Sequence, residues 1–237
     1  MSEQLFRTTD GRPVTAVTAE EMRAVDRVAV EGIGLELLQM MENAGRNLAD
    51  TVQATREDHE PVVVLAGDGG NGGGGLACAR HLANHRTAVS VVLDRPAEEL
   101  TGTTAKQFRI LEEMDVPVAV GPDGVPAEGI AVDALVGYSL DGPLRGTPAA
   151  IVDALADHMT VVSLDVPTGR DATTGAQPGA AVDPDRVVTL ALPKTGLTGL
   201  DCPLAVADIA IPRVVYDRLE IPYGDVFDEA YLVELVE

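Results

Sequence analysis

The chain has 237 residues, enough for one large domain with a full core, and no linker-like stretch argues for two. Its 38 acidic residues against 17 basic ones give a formal charge of −21, with no basic patch for a phosphate backbone, which argues against nucleic-acid binding. No apolar run approaches the length of a membrane span and no charged head opens an apolar leader, so a soluble cytoplasmic protein is expected.

Lysine occurs only at Lys106 and Lys194. An acidic chain so poor in lysine reads as adapted to high salt, where carboxylates keep the surface hydrated; an ordinary acidic cytosolic protein is the alternative. Cys78 and Cys202 lack any metal or redox spacing and read as buried, reduced thiols.

In chain order, residues 18–32 predict a helix, with Thr18 as cap, Glu21 completing a capping box, and Met22, Val25 and Ala29 forming a stripe. A second helix is expected over 36–55, with Leu37, Leu38, Met41, Ala44, Leu48 and Val52 at helical spacing. From Pro61 the pattern changes to short apolar runs alternating with amphipathic segments. Strands are expected at 62–66, 88–93, 116–120, 130–135, 160–165, 186–192 and 204–209, with helices at 75–85, 103–114 and 148–157. Runs of Val, Ile and Leu without alternation are buried on both faces, which implies a mostly parallel sheet covered by helices. The fold class that follows is α/β: a Rossmann-like three-layer α/β/α sandwich with ligands beyond the carboxyl ends of the strands.

The informative residues fall at those ends. Residues 67–75 read GDGGNGGGG, a glycine loop between strand and helix whose bare N–H groups suit an anionic ligand such as a diphosphate. Gly67, Gly69 and Gly72 fit the dinucleotide fingerprint, and Asp94 closes the next strand where a ribose-binding acid is expected. Asp133 lies inside an apolar run, where a carboxylate must be paired, hydrogen-bonded or bound to a cation, or else cap the turn that follows. Asp165 ends a strand before a turn holding Thr168, and Lys194 lies just beyond the next strand. Asn71, Asp133 and Thr168 all offer hard oxygens, which suit an alkali or alkaline-earth cation better than zinc. His59, His81, His85 and His158 yield neither zinc-ligand spacing nor a serine–histidine–acid arrangement.

Six ordered segments carry a resemblance: MENAG at 41–45, VVVLAGDGGNGGGGLACARHL at 62–82, VDALVGYSLDGPLRG at 132–146, VVSLDVPTGRDATTG at 161–175, DRVVTLALPKTGL at 185–197 and ADIAIP at 207–212. Together they resemble the YjeF N-terminal domain family, the NAD(P)H-hydrate epimerases, over about residues 18–212. The resemblance implies a domain, often a homodimer, that interconverts the R and S forms of hydrated NAD(P)H. A separate ADP- or ATP-dependent dehydratase is then expected to restore the cofactor, since the resemblance does not extend to the dehydratase domain fused in many members. It further implies a potassium ion on Asn71, Asp133 and Thr168, the last usually serine. Substrate contacts carry over to Gly70, Asn71, Gly72, Gly73 and Gly74, to Gly137, Tyr138, Ser139, Leu140, Asp141, Gly142 and Pro143, and to Asp165. Asp165 is the expected acid–base group, with Lys194 positioning or polarising the site.

The family usually reads Asn-Asn-Gly-Gly-Asp where this chain has Gly70-Asn71-Gly72-Gly73-Gly74, so an asparagine and an aspartate are missing from the substrate side. Two other readings stay open on sequence alone. One is a non-catalytic nucleotide- or metabolite-binding module that lost substrate residues, a role that GYSLDG also fits. The other is an NAD-dependent dehydrogenase, built on the fingerprint and Asp94.

Overall fold

The valine-rich runs pair side by side, as hydrophobicity on both faces demands. In a computed structural model, which describes residues 3–237, the chain opens with β1 (Glu3–Thr8), β2 (Pro13–Ala16), α1 (Ala19–Arg27) and α2 (Leu37–Thr55). It continues through β3 (Val62–Ala66), α3 (Gly70–Asn84), β4 (Val89–Leu93), α4 (Gly102–Glu113), β5 (Val118–Val120) and β6 (Ile130–Ala134). Then come α5 (Gly146–Asp153), β7 (Thr160–Leu164), β8 (Arg186–Leu190), β9 (Leu204–Ala207), α6 (Arg213–Arg218) and β10 (Leu232–Val236).

All ten strands form one sheet, in the order β2-β1-β10-β9-β8-β7-β6-β3-β4-β5. The seven expected strands are β3 to β9, and every pairing among them is parallel. The sequence reading left out β1, β2 and β10, which extend the sheet by antiparallel pairing. The chain winds outward from β3 to β5, returns to β6 on the other side of β3, and winds away through β9. Strand order therefore reverses between β3 and β6, where a crevice opens at the carboxyl ends.

Helices α2, α3 and α4 cover one face of the parallel block, where Leu48, Val52, Leu76, Leu82, Phe108 and Leu111 pack on the even residues of β3 and β6. The opposite face carries α5, through Ile151 and Val152, and long loops. Helix α1 begins as expected: the Thr18 hydroxyl accepts from the Glu21 amide, and Glu21 returns to the Thr18 amide. The single helix expected over 18–32 is broken, because Val28–Ile33 winds as a π-helical turn that ends at Gly34 with φ of +87°. Such turns recur beside functional sites.

The glycine run is the main departure. It is the first turn and a half of α3 rather than a loop, and none of Gly67 and Gly69 to Gly75 has a positive φ. These glycines serve close approach. A methyl on Gly72 would enter the Gly67 carbonyl oxygen, and one on Gly73 would strike the Met41 side chain. A methyl on Gly75 would strike Ala134, and one on Gly74 would come within 2.9 Å of Leu164 Cδ2. Gly70 alone among the helical glycines of this run has open space over it.

Candidate active site

A cavity of about 410 Å³ lies beyond the carboxyl ends of β3, β6, β7 and β8. Met22, Asp26 and Arg27 of α1 and Leu37, Met40, Met41 and Ala44 of α2 form one wall. Gly70 and Asn71 from the start of α3 and Gly137, Tyr138 and Ser139 after β6 form another, with Asp165 and Lys194 also lining it. The crevice predicted by the winding of the sheet is thus where Gly70, Asn71, Gly137, Tyr138, Ser139, Asp165 and Lys194 meet.

Asp165 follows β7 in a left-handed conformation, φ +68°, which aspartate tolerates better than most residues. Its amide donates to the Val188 carbonyl at 2.7 Å, fixing that turn to β8. One carboxylate oxygen accepts from the Lys194 ammonium and, at 3.3 Å, from the Leu190 amide; the other accepts from the Tyr138 amide at 3.2 Å. Lys194 is fully buried and Asp165 is 3% exposed. Nζ of Lys194 also donates to the Leu190 carbonyl at 2.9 Å. The lysine's own backbone is pinned by Val17, whose amide donates to Pro193 while its carbonyl accepts from Thr195, both at 2.9 Å. A buried ion pair this well held keeps a charged carboxylate out of bulk water without leaving it unpaired.

Asp133, on the neighbouring strand, is buried and, among the described residues, has no cationic partner. Its carboxylate accepts from the Ser163 hydroxyl at 2.8 Å, the Thr168 amide at 2.8 Å and the Thr168 hydroxyl at 2.5 Å. Burial raises its pKa, and the Thr168 and Ser163 hydrogen bonds oppose that rise. The Thr168 hydroxyl in turn accepts from the Val136 amide at 3.1 Å. One residue further, Gly137 lies between Asn71 and Asp165: a Cβ there would stand 3.0 Å from both Asn71 Oδ1 and Asp165 Oδ2. Both polar atoms of the Asn71 side chain are buried and, among the described residues, have no hydrogen-bond partner. Asn71, Asp133 and Thr168 therefore gather around the Val136–Gly137 backbone.

Other expected residues lie elsewhere. Gly72, Gly73 and Gly74 are packed inside α3 and do not line the cavity. Leu140 packs toward the α5 side of the sheet, Asp141 and Gly142 are exposed, and Pro143 lies against Gly179. Asp94 does not reach the cavity either; it is held by the Arg95 guanidinium at 2.9 Å, while Asp68 caps Thr101. Asp94, on which the dehydrogenase reading rested, therefore stands apart from the residues that line the cavity.

One residue escaped the sequence reading. Asp26 of α1 faces the cavity, and its carboxylate accepts from the Tyr138 hydroxyl. Burial raises the Asp26 pKa, while the Tyr138 hydrogen bond and the Lys194 charge oppose the rise. The signal was in the sequence: Asp26 stands four residues after Met22 and three before Ala29, on the apolar stripe rather than the solvated face. Two carboxylates in different settings, one lysine, one phenol and a helix N-terminus can together move protons on a bound polar ring and hold an anionic tail.

Comparison with known proteins agrees with this geometry. Residues 37–196 match the family described as YjeF-related protein N-terminus. The chain is 44% identical to an NAD(P)H-hydrate epimerase of Dehalogenimonas lykanthroporepellens, over 97% of this chain and 96% of that protein. It is 37% identical to the bifunctional NAD(P)H-hydrate repair enzyme Nnr of Salinibacter ruber, over 85% of this chain but only 42% of the relative. The crystal structure of yeast ynu0, YNL200c, superposes with a TM-score of 0.77 at 27% identity, covering 92% of this chain and 99% of that one.

Proposed function

The chain belongs to the YjeF-related N-terminal family, and from that premise we propose that it is an NAD(P)H-hydrate epimerase, an isomerase of nicotinamide cofactor repair. The observation that carries the reading is the Asp165–Lys194 pair, buried at the strand tips and open to a cavity large enough for a hydrated nicotinamide ring.

The hydrate carbon bears both a hydroxyl and the ring nitrogen. Inversion there needs only assisted loss and return of water, with no net redox change. Asp165 supplies or accepts the proton, while Lys194 and the Tyr138 and Leu190 amides hold its carboxylate in place. Gly70 and Asn71 open α3 beside this group, so the bare N–H groups and positive dipole end are placed to receive the diphosphate. Gly72, Gly73 and Gly74 serve by letting the helix come close, not by touching substrate.

The residues also fit a potassium ion. The orphaned Asn71 side chain is the best sign of one, and Asp133 and Thr168 add hard oxygens without any soft ligand nearby. When bound, the ion would supply positive charge to a corner that holds a buried carboxylate and would keep the Asn71 and Val136–Gly137 backbone in register.

Beyond the epimerase step, the reading includes a homodimer in a salt-rich cytoplasm and a separate ADP- or ATP-dependent dehydratase that consumes the S epimer. Acidity and scarce lysine support the salt, and the fused repair relatives support the linked dehydration. Purified protein incubated with the R hydrate of NADH in potassium chloride tests the activity: the S form should accumulate far faster than without enzyme. Equal rates with and without protein would sink the proposal.

A further inference from the structure

We propose that Asp26, with the Tyr138 hydroxyl bonded to it, is the second acid–base group of the epimerisation, serving the face of the hydrate that Asp165 does not. This rests on the epimerase reading of the same cavity. Inversion passes through a flat iminium carbon, and water must leave one face and return to the other. One carboxylate fixed on a strand tip reaches one face of a ring held in an enclosed site.

The geometry provides the other. Asp165 enters from the strand ends and Asp26 from the helical layer, and Tyr138 links them: its amide donates to Asp165 and its hydroxyl to Asp26. The Lys194 ammonium stands 5.8 Å from the Tyr138 ring centroid, on the Asp165 side of the link. Among the described residues nothing donates to Asp26 Oδ1, so that atom is left for a ligand in the cavity. The groups facing Asp26 are Tyr138, Lys194, Asp165 and Tyr216, with Arg23 and Arg27 beside it on α1. Burial and the Asp165 charge favour its protonated form; the Tyr138 bond and Lys194 favour the ionised one. One acid is therefore held against a cation and the other is shielded from water, the pairing of opposite protonation states that a two-sided reaction uses.

In one direction, Asp26 gives its proton to the departing hydroxyl. The carbon–oxygen bond breaks with its electron pair leaving on water, and the ring nitrogen lone pair forms the carbon–nitrogen double bond. Water then adds to the opposite face: a new carbon–oxygen bond forms, the carbon–nitrogen π pair returns to the ring nitrogen as its lone pair, and Asp165 takes the surplus proton. Asp26 is left ionised and Asp165 protonated, which is the state required by the other epimer.

The test follows each purified epimer in oxygen-18 water with the full-length wild type, Asp26→Asn, Asp165→Asn and Tyr138→Phe. Asp26→Asn should lose at least about 100-fold in epimerisation. It should still exchange the hydroxyl oxygen of one epimer with retention of configuration, and Asp165→Asn should do the same for the other epimer. Tyr138→Phe removes the bond that favours ionised Asp26, so the limb of the pH–rate profile belonging to Asp26 should move to higher pH. Epimerisation by Asp26→Asn at the wild-type rate overturns the proposal. So does loss of exchange on both epimers by a variant that is folded at the assay temperature, or an unmoved limb in Tyr138→Phe. A wild type that does not epimerise overturns the epimerase reading itself and this inference with it.

Discussion

Asp133 and Asp165 are placed almost alike and meet different surroundings. Both are buried, at 0% and 3% exposure, and both project at the ends of adjacent parallel strands. Asp133 is closed in by neutral donors, three of them from Ser163 and Thr168, and does not reach the cavity. Asp165 meets a lysine and looks into the cavity. The depth of an acid does not reveal its role; the charge of its partner and the space before it do. A carboxylate ringed by hydroxyl and amide donors is held in place by neutral groups, whereas one set against a lysine beside open space is paired with a charge and faces room for a ligand.

The sharpest way to break this contrast is Asp165→Asn, which should lower kcat by about 10³-fold, within the usual range for a general acid–base group, in a protein still folded at the assay temperature. Because it leaves the buried Lys194 ammonium without its carboxylate, it should also lower stability by about 3–5 kcal/mol. A variant with near-wild-type turnover would remove Asp165 from the chemistry. Next in size is Lys194→Met. It strands a buried carboxylate, a loss of about 3–5 kcal/mol in chemical denaturation, and the Asp165→Asn/Lys194→Met double variant should regain much of it. A purely additive double variant would show that the pair is not coupled.

Asp133→Asn should cost less, about 1–3 kcal/mol, because neutral donors lose one charged acceptor but keep an amide oxygen. Its diagnostic is potassium: the wild type should gain about 1.4 kcal/mol at ten times the ion's Kd, and Asp133→Asn should gain nothing. Equal potassium responses in the two proteins would separate Asp133 from any cation. The smallest effect is on stability in Asp26→Asn. Burial raises the folded pKa of Asp26, so ionising it costs stability as pH rises from the ordinary aspartate value of 3.8 through the folded one. The asparagine variant should therefore melt higher than wild type at neutral pH, and the gap should close as pH falls toward 3.8. A gap that stays constant with pH would assign the effect to packing.

Much of this was legible in the chain. Seven strands could be read because residues such as Val62–Ala66 are apolar on both faces, and the site residues followed from the rule that ligands bind beyond such strands. Strands β1, β2 and β10 could not: they are short, polar on alternate positions or one-sided, and the hairpin of β1 and β2 joins the sheet only by pairing across more than 200 residues, as in Arg7 with Val236. The start of α3 was hidden because glycine is a poor helix former, and only contacts with Met41, Ala134 and Leu164 override that preference. Asp26 was hidden because an acid on an amphipathic helix is normally solvated. Asp94 misled because a motif was read without knowing that Arg95 would claim it.

The bare stretch of α3 has one last consequence. Five of its first six positions lack a side chain, and each glycine forgoes roughly 1 kcal/mol of helical preference relative to alanine. Cut free, this turn would be coil. It is ordered only while Met41 on α2 and Ala134 and Leu164 on the sheet press upon it. The order of this turn is thus borrowed from its neighbours, and any loosening of α2 would be felt at Gly70 and Asn71 before it reached the distant strands.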